Sequence, residues 1–259
     1  MPSPPTVYLE SRYRKLVRDL PQTIFFCPEC KGDRRRRAAC AKCGGRGKLP
    51  DDSVQELLGR RLLPAFRART GKFHGAGRED VDVRMLGRGR PFVFEVVAPR
   101  RDGVDLEALR ERFHGEEGHR VQIDPFLVVA RERVAQLKEA QFDKRYRIGV
   151  AFDGPPDPAR LAPLEGRVLQ VAQRTPQRVV HRRGDLVRER RVTILAARVL
   201  EVGEADEAGA AAEFDVETAH GTYVKEWVSG DGGRSPNSLA ELLGVAARCV
   251  RLDVLEVLD

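Results

Sequence analysis

Two sets of residues in this chain are of types and spacings that could do chemistry. The first lies in a polar stretch from Phe73 to Glu95. There Gly77-Arg78-Glu79-Asp80 sets a carboxylate after a basic residue and a permissive backbone, and a second carboxylate, Asp82, follows two positions on. The stretch is too polar for a core, and the run Phe92 to Val97 after it reads as a buried strand. Asp80 is therefore expected on an irregular loop or strand end just ahead of regular structure, where reactive groups are commonly displayed.

The second set is Cys27, Cys30, Cys40 and Cys43, two Cys-x-x-Cys pairs with nine residues between them. Four thiolates so spaced can close a tetrahedron on zinc, and glycines 44, 45 and 47 allow the tight backbone of a knuckle. Disulfides would need an oxidising compartment, which nothing in the chain signals. A full tetrathiolate shell keeps no open position for water, so the expected zinc is structural and folds a segment. Between the pairs, Arg34, Arg35, Arg36 and Arg37 fall at the tip of the knuckle. Four adjacent cations there suit a phosphate-contacting finger, against the alternative of a solvated loop.

Charge distribution points the same way. The chain carries 46 Lys and Arg against 39 Asp and Glu, a net +7. Residues 1–61 hold 14 against 7, so residues 62–259 balance at 32 against 32. Clustered positive charge attracts polyanions and supplies the phosphate contacts that dominate nucleic-acid affinity. Arg12, Tyr13, Arg14, Lys15 and Arg18 interleave cations with an aromatic, which suits RNA, although a helix with a charged outer face explains them equally well. A second basic cluster, residues 173–191, includes His181, Arg182 and Arg183 and suits a surface that grips a nucleic-acid backbone. No run reaches the roughly 18 to 20 apolar residues of a membrane span, and no signal peptide is visible, so no membrane role and a cytoplasmic location are expected.

The elements that must position these groups can be read in outline. Ser53 opens a helix with a Ser-x-x-Glu start and Val54, Leu57, Leu58, Leu62 and Leu63 inward. Helices are expected over 104–114 and over 126–140, the latter with Leu127, Val134 and Leu137 inward, and strands over 120–124 and 144–152. In the last of these Tyr146 shares a face with Ile148 and Val150, which by residue type alone favours a core tyrosine. A low-complexity patch, 202–213, reads as a surface turn. Residues 214–228 read as a strand with Tyr223, Lys225 and Trp227 on one face. A glycine-rich loop from Ser229 to Ser238 then enters a short helix, and Val250, Leu252 and Val254 belong to a closing strand. Cys249 reads as a small core residue.

Four segments, RYRKLVRDLPQT, FHGAGREDVDVRMLGRGRPF, QRTPQRVVHRRGDLVR and GTYVKEWVSGDGGRS, occur in this order. Together they resemble the archaeal and eukaryotic tRNA pseudouridine synthase family that acts on the T-loop, the tenth class of these enzymes. The resemblance covers nearly the whole chain. It implies Asp80 as the catalytic aspartate, since glycine-arginine-x-aspartate is how several such classes present it. It further implies Tyr146 as the active-site tyrosine and Lys225 as the basic partner of the aspartate, with Tyr223 adjoining. Arg78 and Arg84 are assigned to positioning or phosphate contacts, and Asp82 to structural hydrogen bonding. Two departures stand out. The loop reads Gly233-Arg234-Ser235-Pro236-Asn237-Ser238 where the family has Gly-Arg-Thr-x-Pro-Ser, and little precedes Tyr8 where members carry a THUMP-like RNA-binding region.

The expected fold is α+β: a large, mainly antiparallel sheet with flanking helices and a central cleft, as 1–61 with the zinc knuckle followed by a catalytic domain, 62–259. The activity that the resemblance implies is isomerisation of uridine to pseudouridine in the T-loop of tRNA, with the T-arm of tRNA as the partner. It needs no organic cofactor, because the C1′–N1 bond breaks and a C1′–C5 bond forms without redox change or hydrolysis. Asp80 could act as nucleophile at C1′ or as base at the sugar. A separate RNA-binding protein would be the partner replacing the N-terminal region. The rival reading is a zinc-containing RNA-binding or RNA-chaperone module with a vestigial pocket.

Overall fold

Alternation along the first strand sets the frame. In β1 (Val7–Lys15), Leu9, Ser11, Tyr13 and Lys15 are buried while the residues between them are partly open, as a period of two requires. A computed structural model of the chain describes residues 5–200 and 209–259. It forms two compact units, Met1–Ala140 and Gln141–Asp259.

In the first unit, α1 (Val54–Ala65) starts as its sequence predicts, with the Ser53 side chain accepting from Glu56 N and Val54, Leu57, Leu58 and Leu62 buried. The boundary expected at residues 61 and 62 falls inside this helix. β2 (Thr70–Gly75) leads through a loop to β3 (Arg84–Val97). After α2 (Leu106–Glu117) come β4 (Val121–Ile123), β5 (Leu127–Val129) and α3 (Glu132–Glu139). β1 pairs antiparallel with β3 on one side, Tyr13 facing Arg90, and with β4 and β5 on the other. β2 pairs antiparallel with β3, placing Phe73 opposite Phe94. A glycine is required at 71, where a Cβ would come within 2.5 Å of the Phe94 ring. The helix expected from 126 begins later: Leu127 stands 63% exposed on short β5, and only Leu137 of its three inward positions is buried.

In the second unit the strand order is β10–β6–β9–β8–β7, antiparallel throughout. It comprises β6 (Asp143–Phe152), β7 (Val168–Arg174), β8 (Val187–Val199), β9 (Ala212–Thr218) and β10 (Ala247–Leu258). Short helices α4 (Pro158–Leu161), α5 (Val224–Ser229) and α6 (Leu239–Leu243) lie between strands in the chain. Ile148, Val150, Val192, Ile194, Phe214, Val216 and Trp227 form its core. The α+β class and mainly antiparallel pairing match the sequence expectation. The patch at 202–213 lies largely outside the described residues. Cys249 is only half-buried.

The strand expected over 214–228 ends at Thr218, and residues 224–229 are helical. Trp227 N donates to Tyr223 O at 2.9 Å, the bond of a helical turn. Residues two apart on a helix lie about 200° apart, so Lys225 does not share a face with Tyr223 and Trp227. The reason is visible in the side chains: Val224, Trp227 and Val228 are the buried apolar positions, at helical spacing, and Gly230, at φ +82°, closes the turn.

Candidate active site and metal centre

The Asp80 loop is built from beneath. Asp80 stands on the connection between β2 and β3, as expected, and is half-buried. Its neighbour Glu79 turns inward, with a side chain 1% exposed, and pairs with the equally buried Arg90, Arg90 Nε donating to Glu79 Oε2 at 2.8 Å. The Tyr13 hydroxyl donates to the other carboxylate oxygen at 2.5 Å. Gln22 Nε2 donates to Tyr13 Oη at 2.9 Å and to the Gly77 carbonyl at 3.1 Å. Arg90 Nη1 takes the Ala76 carbonyl at 2.6 Å. Buried polar groups are tolerated only when so satisfied.

Lys15, wholly buried, spreads its ammonium over three carbonyls: Leu20 at 2.7 Å, Val81 at 3.0 Å and that of Asp80 itself at 3.4 Å. Arg18 donates to the Asp82 carbonyl at 2.8 Å. The apolar side of Tyr13 rests edge-on against Phe73 and Phe92, each with its centroid 5.9 Å away. Gly77 is needed at the turn: its φ is +80°, and a Cβ would meet Arg90 Nη1 at 3.0 Å. Burial lowers the Lys15 pKa to about 8, against the opposing pull of Glu79 and Asp82. Burial first, and then the Glu79 charge, hold the Tyr13 hydroxyl well above its usual range.

The interleaved stretch from Arg12 is therefore neither a helix with a charged outer face, since it lies on strand β1, nor one in which Tyr13 and Lys15 are turned to RNA. They face the core, and the segment from Tyr13 to Gln22 is the scaffold of the Asp80 loop. Tyr13, Gln22, Glu79 and Arg90 are site-shaping residues that sequence reasoning missed. Of the other residues assigned here, Arg78 is exposed and donates to Thr23 Oγ1 at 2.8 Å, and Arg84 opens β3, half-buried.

The second unit brings a different subset together. Tyr146 is half-buried at the start of β6, between Val216 and Val254 on the neighbouring strands. Tyr223 precedes α5. Its hydroxyl accepts from Arg183 Nη1 at 2.7 Å, and the Arg178 guanidinium lies 5.9 Å from its ring centroid. Both backbone groups of Tyr223 are held by buried Gln173, whose Nε2 also donates to Ser235 Oγ at 3.0 Å. His181 and Arg182 are exposed on the same β7–β8 connection as Arg183. Arg174 and Arg234 both pair with Asp185 and line a cavity of about 460 Å³ with Gln177, Val187, Gly232 and Gly233. Its charged lining is the two arginines, both paired with Asp185. Lys225 is half-buried on α5.

The four cysteines converge. Their sulfurs all lie within 4.8 Å of one another, with Cys27 to Cys40 at 3.8 Å and Cys30 to Cys43 at 3.7 Å, close enough to hold a metal ion. Cys27, Cys30 and Cys43 are the buried centre of the segment, with Cys40 and Leu49 packed on them. Burial raises the Cys27 pKa, but the backbone N–H groups of Cys30 and Glu29 and the Cys40 thiol outweigh it and bring it to about 7. The tip is organised by Asp33, whose Oδ1 accepts from Arg35 N at 2.9 Å and Arg36 N at 3.0 Å. Arg34 to Arg37 are all exposed.

The family model described as Pus10, C-terminal, matches residues 8–258, and the chain belongs to that family. Among curated relatives, the tRNA pseudouridine synthase Pus10 of Methanopyrus kandleri is 44% identical, over 98% of this chain and 56% of its own length. That of Methanothrix thermoacetophila is 42% identical, over 97% and 53%, and that of Archaeoglobus fulgidus 42%, over 97% and 67%. The chain thus spans about half the length of the first two. A chain in the crystal structure of a Cbf5-Nop10-Gar1 complex is 16% identical with a TM-score of 0.42, over 79% of this chain and 45% of that one. No helix among the described residues is long and apolar enough to cross a membrane.

Proposed function

We propose that this chain is the catalytic part of a tRNA pseudouridine synthase that isomerises uridine in the T-loop. The observation that carries the proposal is the family match, which spans Asp80, Tyr146 and Lys225 together. In this reading Asp80 is the reacting carboxylate, acting at C1′ as nucleophile or at the sugar as base. A half-buried carboxylate on a loop whose carbonyls are held by Lys15, Arg18, Gln22 and Arg90 is suited to that task, because rate depends on fixed geometry at the reacting atoms. Tyr146 supplies an aromatic surface for a uracil taken out of its stack, and Lys225 supplies positive charge. Arg78, Arg84, Tyr223 and the exposed His181, Arg182 and Arg183 engage the RNA.

The metal of the knuckle is zinc in this proposal. Zn–S bonds of about 2.3 Å in a tetrahedron separate the sulfurs by about 3.8 Å, which agrees with the two cross-pair distances of 3.8 and 3.7 Å. The four ligands fill the shell, so zinc holds the segment and Arg34 to Arg37 contact phosphates.

Carbodiimide mapping of a tRNA transcript tests the activity. Wild type is expected to create a carbodiimide-reactive pseudouridine in the T-loop, and Asp80→Ala none. Absence of any new pseudouridine with wild type that binds the RNA would overturn the activity. Equal modification by the variant would move the chemistry to another carboxylate.

A further inference from the structure

Two phenylalanines at the base of the knuckle are the largest exposed aromatic surface among the described residues: Phe25 is 47% exposed and Phe26 57%. Leaving such a side chain in water forgoes a favourable burial. Phe26 is not loosely placed. Its ring lies directly against the backbone of Gly32, where a Cβ would come within 2.5 Å of Phe26 Cδ1 and 2.9 Å of Cε1. Gly47 backs the same floor, since a Cβ there would meet Gly32 Cα at 3.2 Å and Arg37 Cδ at 3.2 Å. An isolated antiparallel bridge from Phe26 to Lys48 and the bond from Cys27 N to Gly47 O at 2.9 Å tie the two ends of the knuckle together. One bare patch of two glycines therefore carries an exposed aromatic ring and the first carbons of Arg37.

The surroundings select the ligand. Residues 27–48 contain eight Lys and Arg against two Asp and Glu; Arg46 and Lys48 pair with Asp51 and Glu56 just beyond, which leaves a net +4 centred on Arg34 to Arg37. A bound zinc with four thiolates would contribute 2 − 4 = −2 and still leave the knuckle basic. The other large exposed apolar residues, such as Leu127, Val128, Val187 and Val199, are aliphatic. An aromatic face inside a concentrated positive field fits a flat π-system attached to phosphates, and an apolar protein segment would gain nothing from the cations.

We propose that Phe26, seated on Gly32 beside Arg37, is a stacking platform for an unpaired RNA base whose flanking phosphates meet Arg34 to Arg37. The inference rests on the RNA-modifying function above and deepens it by naming the ligand of the knuckle: a single-stranded or looped-out nucleotide. Base–aromatic stacking is sequence-tolerant and adds to backbone electrostatics without changing the number of phosphates engaged.

The test is a salt titration of the affinity of the zinc-loaded chain for a tRNA transcript. Phe26→Leu keeps an apolar side chain and is expected to weaken binding, at most by the about 5- to 150-fold that alanine substitution of one base-stacking aromatic costs, with the slope against salt unchanged. Phe26→Trp is expected to restore affinity, and its fluorescence to be quenched by the RNA, Trp227 being buried. Wild-type affinity in Phe26→Leu, or a Phe26→Trp signal that RNA leaves unquenched, overturns the platform. Replacing Arg34 to Arg37 by serine separates the two levels. If that variant loses affinity and slope while Phe26→Leu binds as wild type, only stacking falls. If affinity and slope are both unchanged, the knuckle does not contact RNA at all. Affinity and quenching, not isomerisation, are the readouts, so a failed activity assay leaves this result standing.

Discussion

Glu79 and Arg90 form an ion pair 2.8 Å long in which each side chain is 1% exposed, one residue before Asp80. Removing one partner of such a pair strands the other charge in the core, which typically costs about 3–5 kcal/mol. Glu79→Ala is expected to destabilise the chain by that order, since it also deprives the Tyr13 hydroxyl of its acceptor. The loss would appear in denaturant unfolding as a lower midpoint. Glu79→Gln keeps one acceptor, its amide oxygen, for Arg90 Nε and turns its NH2 donor toward Tyr13 Oη, so it should cost less than Glu79→Ala. A midpoint for Glu79→Ala within error of wild type would show that the carboxylate does not organise the loop.

Stability should depend on pH in a way that identifies Lys15 and Tyr13. Lys15 has its pKa lowered to about 8 from an unfolded 10.5, mainly by burial. Between those values the unfolded chain holds the proton and the folded one does not, so this contribution to stability grows as pH rises from about 8 and is lost as pH falls through it. Tyr13 is shifted the other way, raised above 10 by burial and by Glu79. Its contribution is present below pH 10 and declines above, where only the unfolded state ionises. The two together predict stability that rises from pH 8 to 10 and turns over beyond. Lys15→Met should flatten the rise while leaving the turnover, as read from unfolding midpoints across that range.

The extent to which this could be read from the sequence follows from how local each signal is. The loop position of Asp80 is legible because polar density and Gly77 are local features, and α1 because Ser53 and Glu56 form its cap within four residues. The scaffold of the loop was hidden. Tyr13 meets Glu79 across 66 positions, and β1 buries Ser11 and Lys15 in the same row as Leu9, so its inner face does not look apolar. Basic letters around one aromatic then suggest RNA, although Arg12 and Arg14 lie on the opposite face from Tyr13. α5 was misread for a different reason: alternation over Tyr223, Lys225 and Trp227 competes with the helical spacing of Val224, Trp227 and Val228, and packing favoured the latter.

Gln173 offers a third measurement. Buried, it both donates to and accepts from the backbone of Tyr223 and donates to Ser235. Leaving such partners unsatisfied costs about 1–3 kcal/mol, so Gln173→Ala should destabilise the second unit by that amount. Tyr223→Phe removes only an exposed bond to Arg183 and should stay within about 0.5 kcal/mol of wild type. If the two variants matched in unfolding midpoint, the buried amide would not be the group that fixes Tyr223.

Metal removal should act locally. The cysteines supply nearly all the buried side chains of their segment, so the knuckle has little apolar core to keep it folded alone, whereas the sheet strands pack on large buried apolar side chains such as Phe94, Ile148 and Phe214. A chromophoric chelator is expected to release one zinc per chain. Amide exchange should then rise across residues 27–48 and stay unchanged in β6, β9 and β10. Cys30→Ser should abolish the released zinc and reproduce that pattern, and loss of protection in β6, β9 and β10 as well would mean that the metal supports more than its own segment. Because Arg34 to Arg37 are held at the tip by the fold that the metal closes, the metal-free chain should also bind tRNA with a shallower salt slope.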